Sequence, residues 1–123
     1  MATRKLGVIS KRVIELLELD IEAGTPIFIG DSNIEHMKLR HLSDYLKYGE
    51  NISDIINEAD YVGVNSNDNS IEYVKEYKIN DEYVKVAVRV SMGNVYYARS
   101  IYVLNKNRVI NYINKNTLKK ILI

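Results

Sequence analysis

Two groups of residues in this chain have the types and spacing to move protons and hold a phosphate. His36 and His41, the two histidines, lie five apart in His36-Met37-Lys38-Leu39-Arg40-His41, while Glu72, Lys85, Arg89, Tyr96, Ser100 and Tyr102 fall in segments with strand-like alternation. An imidazole or a carboxylate can take and return a proton, ammonium and guanidinium groups can neutralise a phosphorane, and tyrosine rings can stack on bases. Together these are the parts of a metal-free ribonuclease, which must deprotonate a 2′-hydroxyl and protonate a departing 5′-oxygen. The same residues also suit an ordinary solvated sheet face carrying ion pairs and aromatic neighbours. A metal is poorly served: there is no cysteine, and two histidines five apart are badly spaced for one ion on a continuous helix.

The grouping depends on strand register. Val84, Val86, Val88 and Val90 alternate with Tyr83, Lys85, Ala87 and Arg89, so the valines are expected to face a core. A two-residue turn at Asn80-Asp81 predicts Ile79 opposite Glu82, Glu76 opposite Lys85 and Glu72 opposite Arg89. On the next strand Val95, Ile101 and Val103 share the apolar parity, which assigns Tyr96, Ala98, Ser100 and Tyr102 to the other face. With a turn at Met92-Gly93, one face gathers Glu72, Lys85, Arg89, Tyr96, Ser100 and Tyr102. Arg99 falls among apolar residues by parity, so it either snorkels around the strand edge or marks a bulge.

The elements around these strands follow from caps and periodicity. Residues 10–22 read as an amphipathic helix capped by Ser10; Gly24-Thr25-Pro26 ends it, and Ile27-Phe28-Ile29 reads as a strand before Gly30. Ser32-Asn33-Ile34-Glu35 matches a capping box and predicts a helix from about 33 to 47. On that helix His36, Arg40, Ser43 and Lys47 share one face, and His41 falls between Ile34, Met37 and Tyr45 on the apolar arc. A short helix over 52–59, a strand at 61–64 and a polar loop at 65–69 come next. Strands over 70–79, 82–91 and 94–104 follow, then a helix behind Asn105 carrying Val109, Ile110 and Ile113. Leu118 to Ile123 return as a strand or pack as a tail. The expected class is α+β, helices first, then an antiparallel meander of about four strands and a terminal helix.

The chain has 123 residues, room for one core of ordinary size. No run of about 18 apolar residues suggests a membrane span, and no secretory leader precedes the first helix. The formal net charge of +1 hides a segregation: residues 83–123 hold eight Lys and Arg and no Asp or Glu, and all 16 acidic residues precede them. A basic, tyrosine-bearing third is an electrostatic footprint for phosphates, although the acidic part can also neutralise it.

The ordered segments FIGDSNIEHMKLRH, ISDIINEADYVGVN, SIEYVK, YVKVAVRV and YYARSIYVL resemble the phage and mobile-element nucleases grouped as barnase-EndoU-colicin-RelE-like, in the phage-type branch known as PBECR. The resemblance covers about Ile27 to Leu118 and leaves residues 1–24 as a helical extension of a single ribonuclease-like domain, 1–123. It implies a curved antiparallel sheet and a metal-independent, cofactor-free endoribonuclease of toxin type. Such an enzyme cuts RNA, tRNA among its targets, to a 2′,3′-cyclic phosphate. Implied catalytic residues are His36, His41, Arg89, Ser100 and Tyr102; implied phosphate contacts are Lys38, Arg40, Lys85 and Arg99. Glu72 and Tyr96 join the substrate-binding set through the shared face. RNA is the expected partner, with a cognate immunity or antitoxin protein and no membrane. Action in the cytoplasm is expected, with delivery from a larger phage or secreted polypeptide. A catalytically silent RNA- or protein-binding module and a purely structural oligomer are the competing expectations.

Overall fold

Val84, Val86 and Val88 are fully buried on one side of their strand, as the alternation requires, and the rest of the sheet is laid out from it. The computed structural model describes residues 2–122, so Met1 and Ile123, including the end of the expected C-terminal return, lie outside the described residues. The strands are β1 (Thr3–Ile9), β2 (Thr25–Gly30), β3 (Tyr61–Val64), β4 (Ile71–Tyr77), β5 (Glu82–Val90), β6 (Tyr96–Leu104) and β7 (Lys119–Lys120). The helices are α1 (Lys11–Leu17), α2 (Asp31–Arg40), α3 (Leu42–Tyr48), α4 (Ile52–Asn57) and α5 (Lys106–Asn114), with a 3-10 turn at Gly49–Asn51. One seven-stranded sheet runs β1-β2-β6-β5-β4-β3-β7, parallel between β2 and β6 and antiparallel elsewhere.

The class is α+β and the β3-to-β6 meander matches expectation, but the sheet is larger and mixed. Residues 3–9 are not helical: they pair with β2 from Thr3↔Gly30 to Ile9↔Thr25. The segment TRKLGVI has no regular alternation, so its strand conformation is fixed by its partner rather than by local pattern. Ser10 caps α1 as expected, its hydroxyl accepting the Val13 N–H, yet the helix stops at Leu17 because Glu18 turns left-handed at φ 53°.

The helix expected over 33–47 is two helices. His41, at φ −143° and ψ 57°, ends α2 and starts α3; its N–H donates to the Met37 carbonyl and its own carbonyl accepts from Tyr45. Both backbone groups are satisfied, so the break occurs without proline. The cap of α2 also differs: Gly30 is the N-cap, and Asn33 Oδ1 accepts its N–H at 2.8 Å in place of the expected Ser32–Glu35 pair.

Two register differences matter. The β4–β5 pairing ends at Tyr77↔Glu82, so the loop is two residues longer than expected on its first strand, with Asp81 at φ 52°. Lys85 therefore faces Val74 and Glu72 faces Ala87, not Lys85 with Glu76 or Glu72 with Arg89. A shift of two preserves the faces, which is why the grouping largely survives. Between β5 and β6 the register jumps from Val88↔Ala98 to Ala87↔Ser100, leaving Arg99 as the extra residue of a bulge.

The two faces of the sheet differ. On one, Val62, Ile71, Tyr73, the three valines, Ala98 and Ile101 pack beneath Ile52, Ile55 and Ile56 of α4 and join Ile27, Ile29 and Met37. On the other, a small core of Val74, Tyr83, Val109 and Leu118 lets α5 cover only one end. Asn105 caps α5 as expected, accepting the N–H groups of Asn107 and Arg108. The remainder of this second face is open. Gly63, opposite Glu72, lies where the chain crosses at Thr117, and a Cβ there meets the Thr117 carbonyl and the Leu118 side chain. Gly63→Ala is expected to cost about 1–3 kcal/mol through overpacking against backbone that cannot yield. Urea denaturation measures it, and an unchanged midpoint would show that the crossing is not held.

Candidate active site

Rungs of the antiparallel ladder place side chains on the open face in order. Val74, Lys85 and Tyr102 form one rung; Glu72, Ala87 and Ser100 form the next; Arg89 and Tyr97 form the third. Lys85 Nζ lies 2.8 Å from Glu72 Oε2 and 4.7 Å from the centroid of the Tyr102 ring. Tyr102 also meets His41 edge-on, with ring centroids 4.2 Å apart. The helix break thus turns the His41 ring onto the sheet, where a continuous helix would carry it along the apolar arc. Asp44, on α3, accepts the Val103 N–H and fixes the two helices to the edge of β6.

The bulge lets Arg99 and Ser100 reach the same hollow from adjacent positions. That hollow is an open cleft of about 170 Å³ between α2 and the sheet, bordered by His36, Arg89, Arg99, Ser100 and Tyr102, with Asp68 and Ser70 at its back. Of the predicted catalytic residues, four line the cleft and His41 stands one ring behind. Glu72 and Lys85 share rungs with Ser100 and Tyr102 but do not border the cleft, and are bonded to each other. Arg40 is exposed on α2 four residues after His36, while Lys38 extends over the Tyr45 ring and does not line the cleft. Ser43 and Lys47 do not continue the His36 face, because the helix breaks before them and Lys47 pairs with Glu82.

Tyr96 requires a correction. It pairs with Val90 and with Ile27 and packs against the main core, on the opposite face from Ser100 and Tyr102. The bulge is the reason: parity counted through Arg99 without an extra residue assigns Tyr96 and Ala98 to the wrong side. Tyr97 takes the expected place of Tyr96.

Sequence reasoning missed Asp68 and Ser70. Asp68 Oδ1 accepts both the N–H and the hydroxyl of Ser70, at 2.9 and 2.6 Å, and its Oδ2 lies 3.6 Å from Arg89 Nη1. The signal was available, since an Asp two residues before a Ser in a polar loop can close an Asx turn. Those two Ser70 hydrogen bonds, more than the nearby Arg89, hold the Asp68 carboxyl below the usual carboxylate range. The Arg89–Asp68 contact is long and partly exposed, hence weak, and no acidic partner pairs with Arg99 among the described residues. Both guanidinium groups can therefore turn to a bound anion.

Among the described residues no group of three His, Asp or Glu side chains is placed to hold a metal ion, and no helix is long and apolar enough to cross a membrane. A family model described as phage-Barnase-EndoU-ColicinE5/D-RelE like nuclease3 matches residues 4–111. The match begins inside β1, so β1 and α1, in the residues 1–24 expected to be a helical extension outside the resemblance, fall within it, and it ends before the expected Leu118. No curated protein and no solved structure gives a match.

Ser70→Ala removes the larger support of Asp68, and its carboxyl is expected to titrate closer to the ordinary range. Because the folded-state value is depressed, the stabilisation from Asp68 is full above the unfolded carboxylate range and is lost as pH falls through the folded value. In the variant the stabilisation is smaller and its loss is complete at a higher pH. Carboxyl carbon NMR titration of both proteins measures the difference, and coincident curves would remove Ser70 as the cause.

Proposed function

Because the chain belongs to the phage-Barnase-EndoU-ColicinE5/D-RelE like nuclease family, we propose that it is a metal-independent endoribonuclease acting at the cleft between α2 and the open sheet face. The observation that carries this reading is the convergence of one histidine, His36, and two arginines, Arg89 and Arg99, on a single open cleft with Ser100 and Tyr102. In this mechanism neutral His36 accepts the proton of the 2′-hydroxyl as that oxygen bonds to phosphorus. The bond to the 5′-oxygen breaks, that oxygen takes a proton from solvent water, and the products are a 2′,3′-cyclic phosphate and a 5′-hydroxyl. Arg89 and Arg99 bracket the charge that develops on the phosphorane, and the Ser100 and Tyr102 hydroxyls orient its oxygens. His41 acts through Tyr102, as a positioning residue.

Lys85, held by Glu72, lies over the Tyr102 ring, and exposed Arg40 is assigned to a flanking phosphate. A toxin-like role in the cytoplasm, with tRNA among the targets and an immunity protein over the cleft, extends the reading and rests on the family alone. DNA is inert in this chemistry, for want of a 2′-hydroxyl.

Incubation with total RNA in EDTA is expected to give fragments ending in cyclic phosphate. His36→Ala should lower the rate by about 10²–10⁴-fold and Arg89→Ala by about 10²–10³-fold, with a smaller loss in His41→Ala. Full activity in both His36→Ala and Arg89→Ala would refute the assignment, and intact RNA with the wild-type protein would favour a silent binding module on the same fold.

A further inference from the structure

Beside the cleft, four adjacent strands contribute one side chain each to a continuous row on the open face. The registers Lys5↔Phe28, Phe28↔Tyr97 and Arg89↔Tyr97 align them as Lys5, Phe28, Tyr97, Arg89 across β1, β2, β6 and β5. At ordinary strand spacing the row spans about 14 Å. Ile27 and Ile29 are buried on the other side of β2, so Phe28, the only phenylalanine of the chain, points away from the main core. The Phe28 and Tyr97 rings lie 6.5 Å apart, tilted by 50°, partly exposed, and neither packs against either core. A second hollow, of about 320 Å³ and bounded by Tyr97, Arg99, Thr3, Ser32 and Ser91, shares Arg99 with the reaction cleft.

We propose that Phe28 and Tyr97 form a stacking platform for the bases of single-stranded RNA next to the cleaved bond, flanked by Lys5 and Arg89 as phosphate contacts. Aromatic rings on an open sheet face accept any base through its π-face, and cations at either end track the backbone. Arg99, shared by the two hollows, is placed at the phosphate between the stacked nucleotide and the one being cut. A cross-strand aromatic pair that serves packing alone rests on a core; these two rings rest on none. The platform makes the substrate an unpaired strand, since paired bases cannot splay onto it. The proposal rests on the nuclease reading, and its test does not depend on cleavage.

The probe is a fluorescein-labelled single-stranded DNA octamer, which lacks the 2′-hydroxyl, with binding followed by anisotropy. Phe28→Leu and Tyr97→Leu are each expected to weaken it about tenfold, and Tyr97→Phe to restore wild-type affinity. An octamer with abasic positions should bind the wild-type protein as weakly as the intact octamer binds the Leu variants. Exposed Lys5, changed to Ala, should reduce the salt slope by about 1 and leave the melting temperature in place, which keeps the test open if a Leu variant unfolds. Unchanged affinity in folded Leu variants, or equal affinity for intact and abasic octamers, overturns the platform even if the wild-type protein cleaves RNA. Cleavage lost in His36→Ala separates the two readings, because octamer binding should persist there.

Discussion

Side chains on a strand alternate faces with a period of two, so one inserted residue exchanges the faces of everything beyond it. Arg99 is that residue, lying between the rungs Val88↔Ala98 and Ala87↔Ser100. On one side of it Ile101 and Val103 point inward while Ser100 and Tyr102 point outward; on the other, Ala98 and Tyr96 point inward and Tyr97 outward. A regular strand could not put Ala98 and Ile101 in one core and Tyr97 and Ser100 on one open face. The cleft, the shared guanidinium and the aromatic row all depend on this local irregularity.

The polar face was legible where the pattern is strong. Val84, Val86 and Val88 set the faces of β5, and because the hairpin differed by a whole period, Glu72 and Lys85 stayed on the expected side even though their partners changed. The doubtful parity of Arg99 pointed at the bulge, but not at its consequence for Tyr96. What remained hidden has no local signature. β1 becomes a strand through β2, His41 breaks a helix with ordinary backbone hydrogen bonds and no proline, and the parallel pairing of β2 with β6 joins segments that nothing between them marks as neighbours. Asp68 and Ser70 were readable as a turn, but their place at the cleft depends on tertiary packing against Arg89.

The segregated charge of the sequence is partly cancelled across the fold. Lys85 meets Glu72, Arg89 meets Asp68 and Lys106 meets Asp81, so acidic residues of the first two thirds neutralise cations of the last. The strengths are unequal. Lys85–Glu72 is short and mostly shielded and serves as scaffold beneath Tyr102, whereas Arg89–Asp68 is long and wet and yields to a phosphate at small cost. Arg99 starts without a carboxylate, so the cleft keeps one cation ready and one in reserve.

The parallel junction Ile27↔Tyr96 lies between the half of the site on α2 and the half on β5 and β6. It joins strands far apart in sequence, so the loop entropy of that closure must be met before its contacts form. Hairpins β3–β4 and β4–β5 pair near neighbours, at smaller loop cost. The cleft therefore joins side chains far apart in sequence, His36 on α2 with Arg89 and Arg99 on the meander, and exists only where those two parts are packed together.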